Sequence, residues 1–221
     1  MNRTTAFSLA VLGAGAGLHP VAALAADEET QLWLDGTMIT PLADDVTGTL
    51  ELSRRVREND DQILLRGTAD LKVSRSVSVG GGAAYVNSID GLLETGEDKE
   101  FRLHQQLMLT FGVLSFRTRV EERFFEDAER MQLRIRQRVQ AAVPVAKDLH
   151  AAFSGEVFYM ARSEDVGVED QVAQWRLNAT LTRRMSHKLE AAVGYLFMYT
   201  PQDGKPDKIA HVPQITLTFR P

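Results

Sequence analysis

Charged side chains recur at every second position in two neighbouring stretches. Arg117, Arg119, Glu121 and Arg123 alternate through LSFRTRVEERFF, and Arg134, Arg136 and Arg138 through QLRIRQRV. Arg102 and His104 precede them, and Glu156 and Arg176 follow with the same spacing. Guanidinium groups brought together in this way can do three kinds of chemistry. Paired with carboxylates, they form an internal ion-pair network. Left in excess around water, they form a basic wall that favours anions. Beside a histidine and an acid, they could support acid–base catalysis, for which His104 with Glu121, or His150 with Ser154, are the candidates. A hydrolase needs nucleophile, base and orienting acid within hydrogen-bond reach, and no sequence context holds these together.

The elements that position these groups follow from the alternation. Opposite the arginines lie Leu114, Phe116, Val120 and Phe124, then Leu133, Ile135 and Val139. On a helix, Leu133, Ile135, Gln137 and Val139 would spiral round the axis and bury nothing coherently. On a strand, successive side chains point to opposite sides, so Leu114–Val143 reads as a hairpin with one apolar and one arginine-rich face. The simplest register sets Arg119 beside Arg136, Arg117 beside Arg138, Glu121 beside Arg134, Arg136 beside Glu156 and His104 beside Glu121. Like charges across a ladder are unfavourable, so these arginines need carboxylates, water or an anion. Glu51, Asp70, Glu121, Glu156 and Glu190 supply fewer carboxylates than there are inward arginines.

The same pattern fills the chain. Segments within 31–40, 46–57, 62–73, 77–86, 101–111, 149–159, 174–182, 188–199 and 214–220 all alternate, which with the hairpin makes about eleven segments of close to ten residues. That repeat is the mark of a transmembrane β-barrel. Single-chain bacterial barrels have even strand numbers, so ten or twelve strands are expected. On that count Gln31–Thr40 either lies inside the barrel or forms only part of its wall, or a strand is hidden near Asn87–Glu100, which reads as a long polar loop. Connections alternate too: short turns follow Thr40, Val73, Phe111, Val143 and Arg183, and longer acidic loops lie between them. Phe101, Phe111, Phe116, Phe124, Tyr159, Trp175, Tyr195, Tyr199 and Phe219 sit mostly near strand ends on the apolar face, as girdles at membrane boundaries do. Turned inside out, the hairpin would put Arg117, Arg119, Arg134, Arg136 and Arg138 in lipid at about 2–4 kcal/mol each near the midplane. The total, on the order of 10–20 kcal/mol, rivals the stability of a whole domain, so the arginines are expected to face inward.

Composition narrows the class. The absence of cysteine excludes disulfides, thiolate metal sites and a cysteine nucleophile. A formal net charge of −5 argues against a general nucleic-acid binder. Ala6–Gly17 is an apolar run after Arg3, and Ala23-Leu24-Ala25 offers a small-residue cleavage site, so residues 1–25 read as a cleaved secretory signal and 26–221 as a single barrel domain. Export without cysteine suits a bacterial periplasm or outer membrane. Gly80-Gly81-Gly82 falls inside a strand, where glycine marks a bend or close packing. The acidic loops match no ordered calcium loop.

Gln31-Leu32-Trp33-Leu34 with a Pro41-Leu42-x-Asp44 turn, the Arg117–Phe124 and Arg134–Arg138 strands, Glu156-Val157-Phe158-Tyr159 and the closing Thr216-Leu217-Thr218-Phe219 resemble the domain of unknown function 2490 family of bacterial outer-membrane barrels. The resemblance implies such a barrel and brings no established activity.

The expectation is therefore an all-β, antiparallel up-and-down transmembrane barrel of ten to twelve strands, with short periplasmic turns, longer acidic outer loops, and a cell outer-membrane location. It would be structural or a small pore, and not an enzyme. Its lumen would be lined by Arg102, His104, Arg117, Arg119, Glu121, Arg123, Arg134, Arg136, Arg138, Glu156 and Arg176. No cofactor or metal is expected. Expected partners are outer-membrane lipid and lipopolysaccharide, the barrel-assembly machinery and small anionic solutes, with no nucleic acid. The alternatives are a lipid-modifying hydrolase of the outer membrane and a soluble periplasmic binding barrel.

Overall fold

A computed structural model describes residues 26–58, 60–90, 94–166 and 171–221. The expected signal segment lies outside these residues. Among the described residues every regular element is a strand: β1 Asp27–Thr30, β2 Leu32–Ala43, β3 Val46–Val56, β4 Asp61–Lys72, β5 Val77–Asp90, β6 Glu94–Phe111, β7 Leu114–Phe125, β8 Gln132–Ala146, β9 Leu149–Arg162, β10 Gln171–Arg184, β11 Leu189–Thr200 and β12 Lys208–Phe219. From β2 to β12 each strand pairs antiparallel with the next, and β12 returns to pair with β2. The wall is a closed barrel of eleven strands.

Eleven is odd, and that corrects the expectation of an even number. In an up-and-down meander, consecutive strands reverse direction, so an odd count leaves the first and last running the same way. The seam is accordingly parallel, from Gln214↔Trp33 to Phe219↔Met38. It extends through β1, which also runs parallel to β12 from Asp27↔Lys208 to Thr30↔His211. The Gln31 amide between them donates to the His211 carbonyl at 3.0 Å, so β1 and β2 form one continuous edge along β12. Gln31–Thr40 is thus full wall, neither plug nor partial strand. The expected loop at Asn87–Glu100 is also corrected: β5 runs on to Asp90 and β6 begins at Glu94, so that hairpin rises as paired strand.

Parity sorts the side chains as the alternation predicts. The outer face carries Leu177, Val193 and Phe153, each about 60 % exposed, while the interior holds Arg119 and Glu121 at 4 % and 1 %. Phe101 packs against Phe124 near the long-loop end, and Phe111 against Phe116 near the short-turn end. Inside, an apolar cluster of Trp33, Leu196, Met198, Ala210 and Val212 backs the parallel seam. Parallel pairing is slightly weaker per residue than antiparallel, and this cluster adds apolar packing behind it.

Glycine is needed where two strands crowd the interior. A Cβ on Gly82 would stand 2.0 Å from the Gly67 carbonyl oxygen and 2.9 Å from the His104 ring. The expected close-packing role of the Gly80–Gly82 run is met at this position.

Candidate functional site

All eleven residues expected to line the interior lie on its inward face, and the β6–β9 ladders bring most of them together. The registers Arg119↔Arg136, Arg117↔Arg138, Glu121↔Arg134 and His104↔Glu121 are as the sequence suggests. The fifth differs: Arg138, not Arg136, stands opposite Glu156. The β8–β9 turn falls at Lys147-Asp148, beyond Val143, and a bulge between Pro144 and Ala146 resets the pairing. Arg136 still reaches Glu156 diagonally.

The contacts form a chain of alternating charge. Glu121 Oε2 accepts from Arg134 Nε at 2.9 Å and Nη2 at 2.5 Å, and its Oε1 accepts from Arg136 Nη1 at 2.9 Å. Arg136 then donates to Glu156 at 3.1 and 2.9 Å, and Arg117 donates to the same carboxylate at 2.8 Å. Two-pronged guanidinium–carboxylate bonds of this kind are strong and fix orientation. Nearer the long loops, Glu100 accepts two bonds from Arg102 at 2.6 Å and two more from Arg123. Glu100 is a site residue that the sequence reading assigned to a loop, although it shares parity with Arg102. Arg66, paired with Glu51 at 3.2 Å, and Arg55 also belong to the interior.

Aromatic rings take part as well, both for arginines that carboxylates hold and for arginines that they do not. Arg55 and Arg176 lie over Trp33 at 4.1 and 5.4 Å, while Arg134, Arg136 and Arg176 surround Phe158 at 5.0, 4.2 and 4.4 Å. Such stacking attracts a cation without neutralising it. Phe158 shares its face with Glu156, and that parity was the available signal for an inward ring.

The interior holds several cavities among the described residues, two of which share a wall of arginines. One of about 770 Å³ opens among the long loops, and one of about 370 Å³ lies deeper. Arg55, Arg102, Arg134, Phe158 and Arg176 belong to both linings, so the two meet at a basic collar. Around the deeper cavity stand Arg66, Arg117, Arg136 and Arg138 as well, with Glu51 and Glu156 as its carboxylates among the described residues.

The catalytic candidates are not assembled. Both oxygens of Glu121 are taken by arginine, and His104 Nε2 instead lies 3.1 Å from Thr68 Oγ1. His150 is exposed near the short-turn rim, and no hydrogen bond joins it to Ser154 among the described residues. His211 faces outward, as its parity suggests, and pairs there with the Tyr195 hydroxyl. No group of three or more metal-ligating side chains exists among the described residues.

A closed, single-layer β-barrel with apolar side chains outside and an ion-paired interior is the class of protein that fold and site define. The chain belongs to the family described as a protein of unknown function, DUF2490, whose model matches residues 30–209. It is similar to an uncharacterized protein of Methylorubrum extorquens, with 26% identity over 222 residues that cover 96% of this chain and 94% of the relative. No solved structure matches it.

Proposed function

We propose that this chain is an integral outer-membrane barrel, without a catalytic role, whose arginine-collared lumen is a narrow passage favouring small anions. The observation that carries the reading is the inverted distribution of polarity: large apolar side chains cover the outside of a closed wall, and charged ones fill the inside. In water that arrangement would expose an apolar belt far larger than soluble monomers tolerate. In a bilayer it satisfies both faces, because closure leaves no unpaired strand edge. The leader-like first 25 residues and the sorting of short turns from longer connections support the same address. An anion entering from the loop end must pass Arg55, Arg102, Arg134 and Arg176, and a ring of cations selects against cations.

A second reading rests on the ladder from Arg134 through Glu121, Arg136 and Glu156 to Arg117. Those bonds would make the interior a rigid brace, and the barrel a structural element of the membrane. Planar-bilayer recording separates the two. The passage predicts small steps of current whose reversal potential in a salt gradient favours anions, with the preference reduced in Arg176→Gln and Arg55→Gln. A bilayer that stays silent with correctly closed barrel overturns the passage and leaves the brace.

A further inference from the structure

We infer that the deeper cavity is a built site for one free multivalent oxyanion of the phosphate class, held by Arg138, Arg176 and Arg55. The inference rests on the reading that water-borne solutes reach the lumen. One ladder row sets Arg117, Arg138, Glu156 and Arg176 side by side across β7 to β10. The carboxylate in that row is already committed, because Glu156 binds Arg117 and Arg136. Arg138 on one side of it makes no hydrogen bond or ion pair among the described residues. Arg176 on the other side donates to a neutral amide, Gln174 Oε1 at 2.5 Å. Arg55 does the same with Gln62 Oε1 at 2.9 Å.

All three guanidinium groups line the deeper cavity, and none of them makes an ion pair with a carboxylate among the described residues. Nε of Arg55 and Nε of Arg117 are buried with no partner, so donors remain unused at this wall. Removing a cation from water costs several kcal/mol unless a counter-charge meets it. Trp33 and Phe158 hold Arg55 and Arg176 in place by their ring faces and leave the charge unspent. A tetrahedral oxyanion presents several acceptors to planar donor forks arriving from different strands, which a halide cannot do. Asn178 and Gln214 border the same space and join each other through a 2.5 Å hydrogen bond, adding neutral polar atoms to its floor. The wall between this cavity and the outer face is continuous strand, so the anion is a free one that enters along the lumen. A phosphate carried on a lipid headgroup would remain outside.

The test uses the full mature barrel, refolded in detergent without lipopolysaccharide, with inorganic phosphate titrated against chloride at constant ionic strength. Phosphate is expected to raise the unfolding midpoint saturably, and titration calorimetry to show a single site. Arg138→Gln and Arg176→Gln are each expected to weaken phosphate binding at least tenfold, while Arg184→Gln at the rim leaves it unchanged. In phosphate-free buffer Arg138→Gln is expected to be no less stable than the parent, because the guanidinium it removes makes no ion pair among the described residues and stands across from Arg117 as well as Glu156. Stabilisation by phosphate no greater than by chloride overturns the site on the parent protein alone, whatever the variants do. Phosphate affinity equal to the parent's in both variants overturns the assignment to these residues. A barrel that binds phosphate yet passes no current keeps the site and discards the passage. One that conducts without saturable phosphate binding discards the site and keeps the passage.

Discussion

Glu121, 1 % exposed, accepts from Arg134 and Arg136 at once, and both cations lose a charged partner if its charge is removed. Glu121→Gln is expected to destabilise the barrel by about 3–5 kcal/mol, the usual loss when one member of a buried pair goes. Denaturant unfolding in detergent measures it. The double change Glu121→Gln with Arg134→Gln is expected to recover part of that loss, a coupling that two independent sites would not show. The interior arginines were legible in sequence because parity alone assigns a face. Their partners were less so. Glu100 hid in a charge-rich stretch that reads as loop, and the Arg138–Glu156 register depends on a bulge at Pro144 that no local pattern announces. Phe158 has the parity of Glu156, but an aromatic residue beside Tyr159 carries no local mark of an inward ring.

Single elements carry their own tests. At β5, Gly82→Ala would drive a methyl group into the Gly67 carbonyl, which is backbone and cannot swing aside. A loss of about 1–3 kcal/mol is expected from such overpacking, read as a lower unfolding midpoint. Along the seam, Trp33→Ala removes the largest member of the cluster behind β12 and β2 and, with it, the ring on which Arg55 and Arg176 stack. A loss of about 3–5 kcal/mol is expected for an aromatic in such a setting. Hydrogen exchange should then rise first at amides of the parallel ladder. In the loop after β11, Asp207 accepts from the Tyr199 hydroxyl at 2.5 Å and from the Gln202 amide at 3.0 Å, and these bonds hold its carboxyl below its ordinary 3.8. A depressed acid stabilises the fold above its unfolded value and loses that contribution as pH falls through the folded one. Protection of the Gln202 amide, taken relative to its intrinsic exchange rate, should therefore fall as pH drops below about 3.8, and unchanged protection there would contradict the contact. The strands themselves were readable from their period of two. How the last strand meets the first was not, since closure joins residues at opposite ends of the chain and leaves no local trace. The eleven alternating segments correspond to the eleven strands of the wall, and the parallel seam is what admits an odd number.

For the molecule as a whole, the proposed address, passage and anion site all depend on which face meets hydrocarbon. Because the chain has no cysteine, single cysteines can report this without background. Strand β10 offers adjacent outward and inward positions in Leu177 and Asn178, and β8 offers Val139 and Gln140. In proteoliposomes, a fluorophore attached at Leu177→Cys or Val139→Cys is expected to be quenched by brominated lipid and to resist a water-soluble quencher. At Asn178→Cys and Gln140→Cys the pattern should reverse, so that sensitivity alternates residue by residue along each strand. Uniform access to the aqueous quencher at all four positions, with no effect of brominated lipid, would contradict the account.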